Sequence, residues 1–166
     1  MSKKKNKKLK KTLVEKMLDQ HKIPYQQASF SAKVVGDTYH MDASILGDDE
    51  KLVYKTLVAT GNNTGPLVGV VPMTEHLSMK TLAKASGNKK CEMLPLKKLE
   101  KTTGYVHGAN TPIGIYERLH FPIYVDDSMA HEEKIAVSSG EVGRSVWLKP
   151  QDLIDLVHAK MTDLRE

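Results

Sequence analysis

Lys55 is the first residue whose type and position suit chemistry, because it interrupts an apolar run from Leu52 to Val58. Side chains alternate between the two faces of a strand, so Lys55 shares a face with Val53 and Leu57. If that face is buried, an ammonium there is costly unless it pairs with an anion or opens into a cleft. Such a lysine can bind a ribose hydroxyl, a phosphate or an ester carbonyl. The alternative is an edge-strand lysine whose charged end reaches water along its apolar stem.

The second candidate is the segment from Gly104 to Gly114, which also contains Gly108 and Pro112. A fixed loop of this composition can direct several backbone N–H groups at one carbonyl oxygen. Acyl transfer needs that arrangement, because preorganised donors stabilise the charge that develops on the oxygen. An ordinary tight turn would use the same residues, and a G-x-x-x-P pattern alone does not separate the two interpretations.

Other signatures of catalysis are missing from the sequence. The glycine-containing stretch Gly61–Gly65 is followed by Pro66 and not by the lysine of a phosphate-binding loop, and there is no dinucleotide fingerprint. The seven histidines show no metal-ligand spacing, and no nucleophile elbow is present. The single cysteine, Cys91, excludes an internal disulfide, and its surroundings favour a buried strand cysteine over a nucleophile. We therefore expect no metal and no cofactor.

Charge points to a polyanionic partner. The 166-residue chain has a formal net charge of +5, with seven lysines among its first twelve residues. A second basic cluster consists of Lys80, Lys84, Lys89, Lys90, Lys97, Lys98 and Lys101. Two such clusters are typical of a protein that binds RNA, although solvated helix faces are an equally simple explanation. No apolar run is long enough to cross a bilayer and the basic start lacks a signal-peptide core, so we expect a cytoplasmic protein with no membrane partner.

The elements that must position these residues indicate one α+β (mixed α/β) domain. Strands and helices alternate irregularly, without βαβ repeats, which predicts a mixed or mostly antiparallel sheet with flanking helices. The predicted helices span about 8–21, 78–87, 95–101 and 150–164. The predicted strands span about 25–30, 53–60, 67–71, 91–94, 121–125, 134–137 and 145–148. We expect residues 31–50 to be loop with a short helix near 43–46, 104–114 to be loop, and the basic residues 1–7 to be flexible.

Taken together, these features resemble the YbaK/EbsC family of prolyl-tRNA editing proteins along nearly the whole chain. The residues that carry the resemblance are Val53-Tyr54-Lys55-Thr56-Leu57, Val70-Val71-Pro72, Lys80 with Leu82-Ala83-Lys84, Lys89-Lys90-Cys91-Glu92-Met93, Thr103-Gly104-Tyr105, Gly108-Ala109-Asn110-Thr111-Pro112-Ile113-Gly114 and Val137-Ser138-Ser139-Gly140. The resemblance implies a single editing domain over residues 8–166, with a barrel-like, mostly antiparallel central sheet flanked by helices.

The resemblance also implies a function: trans-editing removal of cysteine from mischarged tRNA(Pro), and of Cys-tRNA(Cys) as a further substrate. Lys55 matches the family's functional lysine and would hold the terminal adenosine or its phosphate. Gly108 opens the G-x-x-x-P loop, whose backbone would hold the aminoacyl carbonyl. In the cysteine-specific branch the substrate's own thiol attacks its ester, so the protein supplies no nucleophile. The expected partners are the acceptor end of aminoacyl-tRNA and prolyl-tRNA synthetase.

Catalysis is thus expected at Lys55 and Gly108. Substrate binding is expected at Phe30, Tyr39, Thr56, Ala109, Asn110, Thr111, Pro112 and Ser138. The chain departs from the family pattern where Phe30 replaces a common tyrosine, Tyr39 a phenylalanine, Ser145 an acidic residue, and Ala109-Asn110 a Gly-Gly pair. These departures leave two alternatives open: deacylation of Ala-tRNA(Pro) or another small-residue mischarge, and a non-catalytic RNA-binding or regulatory module.

Overall fold

The computed structural model describes residues 9–35 and 38–166, and for residues 31–35, 38–42, 44 and 45 it describes the backbone alone. The basic segment 1–7 and most of the amino-terminal lysine cluster therefore lie outside the described residues. Within the described part of the chain, no helix has the length and apolar character needed to span a membrane.

In the described part of the chain, ten strands form three sheets. They are β1 (Gln26–Ser29), β2 (Ser31–Val35), β3 (Thr38–Asp42), β4 (Tyr54–Gly61), β5 (Gly65–Pro72), β6 (Cys91–Met93), β7 (Ile123–Asp126), β8 (Ile135–Ser138), β9 (Arg144–Leu148) and β10 (Lys160–Thr162). The sheet orders are β1-β9-β8, β10-β7-β5-β4-β6 and β2-β3. Two of the strand pairs are parallel, β10 with β7 and β5 with β7, and the others are antiparallel.

Five α-helices and two 3₁₀ helices are described around the sheets. The α-helices are α1 (Leu13–Gln20), α2 (Met79–Ser86), α3 (Leu96–Thr103), α4 (Pro112–Leu119) and α5 (Pro150–Val157), and the 3₁₀ helices span Ser44–Leu52 and Asp127–His131. Their ends follow ordinary capping chemistry. Thr12 and Glu15 form a capping box at the start of α1, and Ser78 caps α2, which ends at Gly87 with φ 77°.

The five-stranded sheet has an apolar core on each face. Alternation along β4 sends Tyr54 and Val58 to the larger core, which α1, α4 and α5 cover. It sends Ala59, with Leu57 partly buried beside it, to a smaller core that α2 covers. Lys55 lies on this second face, because it has the same parity as Leu57 and Ala59.

The mixed α+β fold and the mostly antiparallel pairing are confirmed, but the expected barrel is not. The three-stranded and five-stranded sheets stay separate, and among the described residues they meet at a single parallel bridge between Val53 and Ala136. The long 54–72 hairpin and helix α2 formed where the sequence predicted them. The prediction was wrong at β2 and β3, which form a hairpin where loop was expected, and at α4, which begins inside the expected 104–114 loop.

Candidate active site

The bridge between Val53 and Ala136 relates the positions of two candidate residues, Lys55 and Ser138. Two residues beyond it, Lys55 on β4 and Ser138 on β8 have the same parity as the bridged pair, so their side chains leave the same face. Because the bridge is isolated, the two strands are not joined by a ladder past it. Lys55 and Ser138 therefore lie just past the bridge, where backbone hydrogen bonds no longer join the two sheets.

Lys55 is half-buried, with Val71 of β5 as its register partner. Burial lowers the pKa of the Lys55 ammonium, and the negative charge of Glu75 acts in the opposite direction. In the part of the chain that the structure describes, no carboxylate forms an ion pair with Lys55. Lys55 is thus a partly desolvated cation that no carboxylate of the described residues neutralises in an ion pair.

The segment that carries Gly108 is a connection between two helices. Helix α3 ends at Gly104 with φ 83°, and Gly108 has φ 89°, a conformation that favours glycine. The N–H of Ala109 is used inside the loop, where it donates to the carbonyl of Val106 at 3.0 Å. The amides of Gly108 and Asn110 meet no acceptor among the described residues. Within the described residues no protein acceptor therefore competes with a ligand for these two N–H groups, which lie close to the start of α4.

Buried side chains fix this loop from within. The Thr103 hydroxyl donates to Asn110 Oδ1 at 2.8 Å, and Asn110 Nδ2 donates to the carbonyl of Val106 at 3.2 Å. Ser138 Oγ donates to the carbonyl of Ala109 at 3.2 Å and so ties the loop to the end of β8. Because Thr103 and Asn110 are 1% and 6% exposed, the Asn110 side chain supports the loop from inside.

Helix α4 begins directly after the loop. Pro112 occupies its first turn, and the Thr111 hydroxyl accepts a hydrogen bond from the N–H of Gly114 at 3.4 Å. Both residues are buried, so their side chains are engaged in starting the helix. The positive end of the α4 dipole lies at Thr111 and Pro112, which favours negative charge beside the loop.

An apolar cluster lies beside Lys55 on the same face. Val53, Ala136 and Ala43 are buried in it, and Phe30, Leu46, Met73 and Trp147 pack against them. Phe30, a predicted binding residue, therefore lies next to the bridge between Val53 and Ala136. Trp147 was not anticipated, although it is the single tryptophan of the chain. Its place in this cluster follows from the β8–β9 pairing, in which Trp147 lies opposite Ala136.

Two predicted binding residues are placed differently. The backbone of Tyr39 pairs with Val34 in the β2–β3 hairpin, and its side chain lies outside the described residues. Thr56 follows Lys55 on β4, so its side chain leaves the opposite face. Its Oγ1 is buried without a hydrogen-bond partner in the described part of the chain.

The seven residues of the second lysine cluster are all exposed. They lie on α2, on the turn before β6, and on α3, which leads into the Gly108 loop. A polyanion lying along α3 would therefore end at that loop.

Three carboxylates, from Asp126, Asp127 and Asp163, come close enough together to suggest a metal site. The guanidinium of Arg165 already lies against them, at 3.3, 3.7 and 3.4 Å respectively. Asp126 also accepts hydrogen bonds from Ser128 and from the N–H of Leu164. These contacts account for the cluster as an anchor for the end of the chain.

Comparison with known proteins gives a consistent result. The family model of the aminoacyl-tRNA editing domain matches residues 36–156. A protein of Enterococcus faecalis, EbsC, to which Cys-tRNA(Pro)/Cys-tRNA(Cys) deacylase activity is ascribed, is 40% identical over 154 residues, which cover 93% of each chain. Among solved structures, a hypothetical protein aligns with TM-score 0.78 and 19% identity over 92% of this chain and 99% of its own. A structure described as a trans-editing enzyme for prolyl-tRNA synthetase aligns with TM-score 0.74 and 18% identity over 92% and 94%. The structural likenesses show the fold.

Proposed function

The chain belongs to the aminoacyl-tRNA editing domain family, and we propose that this aminoacyl-tRNA deacylase removes cysteine from mischarged tRNA(Pro) in trans, with Cys-tRNA(Cys) as a further substrate. The observation that carries the proposal is the half-buried Lys55, which forms no ion pair among the described residues. Lys55 lies two residues past the Val53–Ala136 bridge, as does Ser138, which anchors the Gly108 loop. The activity ascribed to the 40%-identical relative supports the choice of cysteine.

In this proposal the Gly108 loop holds the ester carbonyl. The amides of Gly108 and Asn110 have no acceptor among the described residues, and the buried Thr103–Asn110 hydrogen bond keeps the loop in place. Donors that are fixed before the reaction stabilise an oxyanion without having to reorganise. The partial positive charge at the start of α4 acts in the same direction.

Lys55 binds the oxygen-rich end of the tRNA, through the terminal ribose or its phosphate. Burial lowers the pKa of the Lys55 ammonium, and among the described residues Glu75 is the carboxylate whose charge offsets this effect, so an anionic ligand would supply further counter-charge. Phe30 and the apolar cluster that contains Trp147 border the same space and would face the small amino acid.

The chemical step uses the substrate's own thiol. The cysteinyl sulfur attacks the carbonyl carbon of its ester, a C–S bond forms, and the charge moves to the oxygen held by the loop amides. The ester C–O bond then breaks, the terminal ribose oxygen leaves with the electron pair and takes the thiol proton, and the product is a cysteine thiolactone. Orientation and oxyanion stabilisation carry such a reaction without a protein nucleophile.

The lysine cluster on α2 and α3 is proposed to bind the acceptor arm. Binding through phosphates reads little sequence and weakens with salt. Selection of tRNA(Pro) would then depend on prolyl-tRNA synthetase as a partner that hands over its product. Added synthetase should therefore increase the preference for tRNA(Pro) over other cysteinylated tRNAs.

Deacylation of Cys-tRNA(Pro), Ala-tRNA(Pro) and Pro-tRNA(Pro) tests the proposal, with Lys55→Ala beside Lys160→Ala as the control, since Lys160 is exposed on β10 and lies outside both lysine clusters. We expect rapid loss of cysteine alone, abolished by Lys55→Ala and kept by Lys160→Ala. Preference for alanine would move the chain to a different editing specificity. Full turnover in the Lys55→Ala variant would refute the role of Lys55, and no activity on any of the three would favour a binding module.

A further inference from the structure

The segment after β5 folds back over the face that carries Lys55. A turn closes where the N–H of Glu75 donates to the carbonyl of Pro72 at 2.9 Å. Two residues later Leu77 lies on Gly69, since a Cβ added there would be 2.9 Å from both Leu77 methyl carbons. Gly69 lies on the same face of β5 as Val71, the register partner of Lys55, so the segment from the turn to Leu77 returns to the face that carries Lys55. Glu75 is therefore placed beside Lys55, above the same face of the sheet.

Glu75 is a carboxylate without a cation of its own. It is half-buried, and in the described part of the chain no lysine, arginine or histidine forms an ion pair with it. Its field does reach the Lys55 ammonium, whose pKa it raises against the effect of burial. The two groups are thus opposite charges that interact without forming an ion pair.

The chemistry of the substrate explains a carboxylate in this place. A tRNA acceptor end is an array of phosphates, and a carboxylate near it is repulsive. Its aminoacyl group adds one cationic centre, the α-ammonium, next to the ester that reacts. A carboxylate is the natural partner of that group through a charge-assisted hydrogen bond.

Resting on the function proposed above, we propose that Glu75 holds the α-ammonium of the aminoacyl group, opposite the Lys55 ammonium that holds the nucleotide. Glu75 is then a specificity-determining residue: it requires a free amino group on the substrate. The pair of opposite charges also fixes the direction in which the ester lies between them, with the amino acid toward Met73 and Phe30. N-blocked substrates, including peptidyl-tRNA, would be excluded.

The test compares Cys-tRNA(Pro) with 3-mercaptolactyl-tRNA(Pro), which keeps the thiol and ester but has a hydroxyl in place of the ammonium. Single-turnover rates and apparent KM are measured for the wild type, Glu75→Gln and Glu92→Gln. Glu92 is exposed on β6, with a side chain 66% accessible, and serves as the matched control. Glu75→Gln preserves the shape of the side chain and breaks no hydrogen bond to the Glu75 side chain among the described residues.

We expect the wild type and Glu92→Gln to prefer the amino substrate by about 10- to 100-fold, the range for a hydrogen bond to a charged group. Glu75→Gln should lose that preference through a raised KM for Cys-tRNA(Pro), with little change for the hydroxy analogue. Equal slowing of both substrates by Glu75→Gln would show that Glu75 acts only on Lys55 and would overturn the proposal. No wild-type preference would overturn it as well, while leaving the deacylase function intact. No turnover of Cys-tRNA(Pro) by the wild type would refute the proposed function, and this inference with it.

Discussion

Replacing Thr103 by valine tests whether the Gly108 loop must be held from within. Valine has nearly the shape of threonine but no hydroxyl, so Asn110 Oδ1 loses its 2.8 Å donor and the N–H of Tyr105 loses a 3.1 Å acceptor. Thr103 is 1% exposed, so water does not easily replace these bonds. Leaving a buried polar group unsatisfied costs about 1–3 kcal/mol. For a chain of this length each kcal/mol lowers Tm by roughly 2–4 °C.

Turnover should fall more than stability suggests. Once Asn110 loses its hydrogen bond from Thr103, the loop that carries the Gly108 and Asn110 backbone N–H groups is no longer held in position. Losing one oxyanion donor costs about 10²–10³ in kcat, and a loosened donor costs a part of that, so we expect at least a roughly tenfold loss of kcat with KM nearly unchanged. Thr103→Ser is the control because it keeps the hydroxyl.

Thermal unfolding and single-turnover deacylation of Cys-tRNA(Pro) are the two assays. Thr103→Ser is expected to keep the wild-type kcat and most of Tm, and Thr103→Val to lower both. If valine lowers Tm but leaves kcat at the wild-type value, the loop amides do not stabilise the oxyanion. If serine and valine behave alike, the methyl group and not the hydroxyl is what matters at this position.

Three further outcomes are expected. Lys55→Met should raise Tm at pH 7 while removing turnover, and the gain should shrink as pH rises toward 10.5, because burial penalises only the charged lysine. Glu15→Gln should cost about 3–5 kcal/mol in urea unfolding, because the Arg144 guanidinium, 13% exposed and 2.8 Å from Glu15, loses its counter-charge. Lys11→Ala, at an exposed pair, should leave the unfolding curve unchanged. Thr56→Val should raise stability by about 1 kcal/mol, the size of an unpaired buried hydroxyl, and keep turnover within about twofold of wild type.

Local signals in the sequence were sufficient for several elements. The turn between Gly61 and Gly65 separates two β-branched runs, and the 54–72 hairpin forms there. Ser78 and Gly87 bound helix α2 as predicted. The start of α4 was missed although Thr111 and Pro112 form a standard helix start, because the glycines on either side favoured a loop. Helix α5 ends early at His158, a non-glycine residue with φ 51°, which no sequence rule indicates.

The candidate site was predictable only where the type of a residue differs from what its neighbours in the sequence lead one to expect. Lys55 could be found because a lysine within an apolar strand needs an explanation. Glu75 and Trp147 could not, because what they face depends on a chain reversal and on a strand register that join distant segments. The inward-facing role of Asn110 was hidden for the same reason, since its partner Thr103 belongs to the preceding helix.

Two residues that directly follow candidate site residues carry buried hydroxyl groups. Among the described residues, Thr56 Oγ1 and Ser139 Oγ are buried without partners, and they directly follow Lys55 and Ser138 in the sequence. Neighbouring residues of a strand face opposite sides, so Lys55 lies on one face of β4 and Thr56 on the other. If the Thr56 hydroxyl serves the substrate through a rearrangement of β4, Thr56→Val must lose turnover whatever its stability. If the unpaired hydroxyl only destabilises the fold, Thr56→Val is more stable than the wild type and keeps its turnover. Lys55 is then the side chain through which β4 contributes to the site.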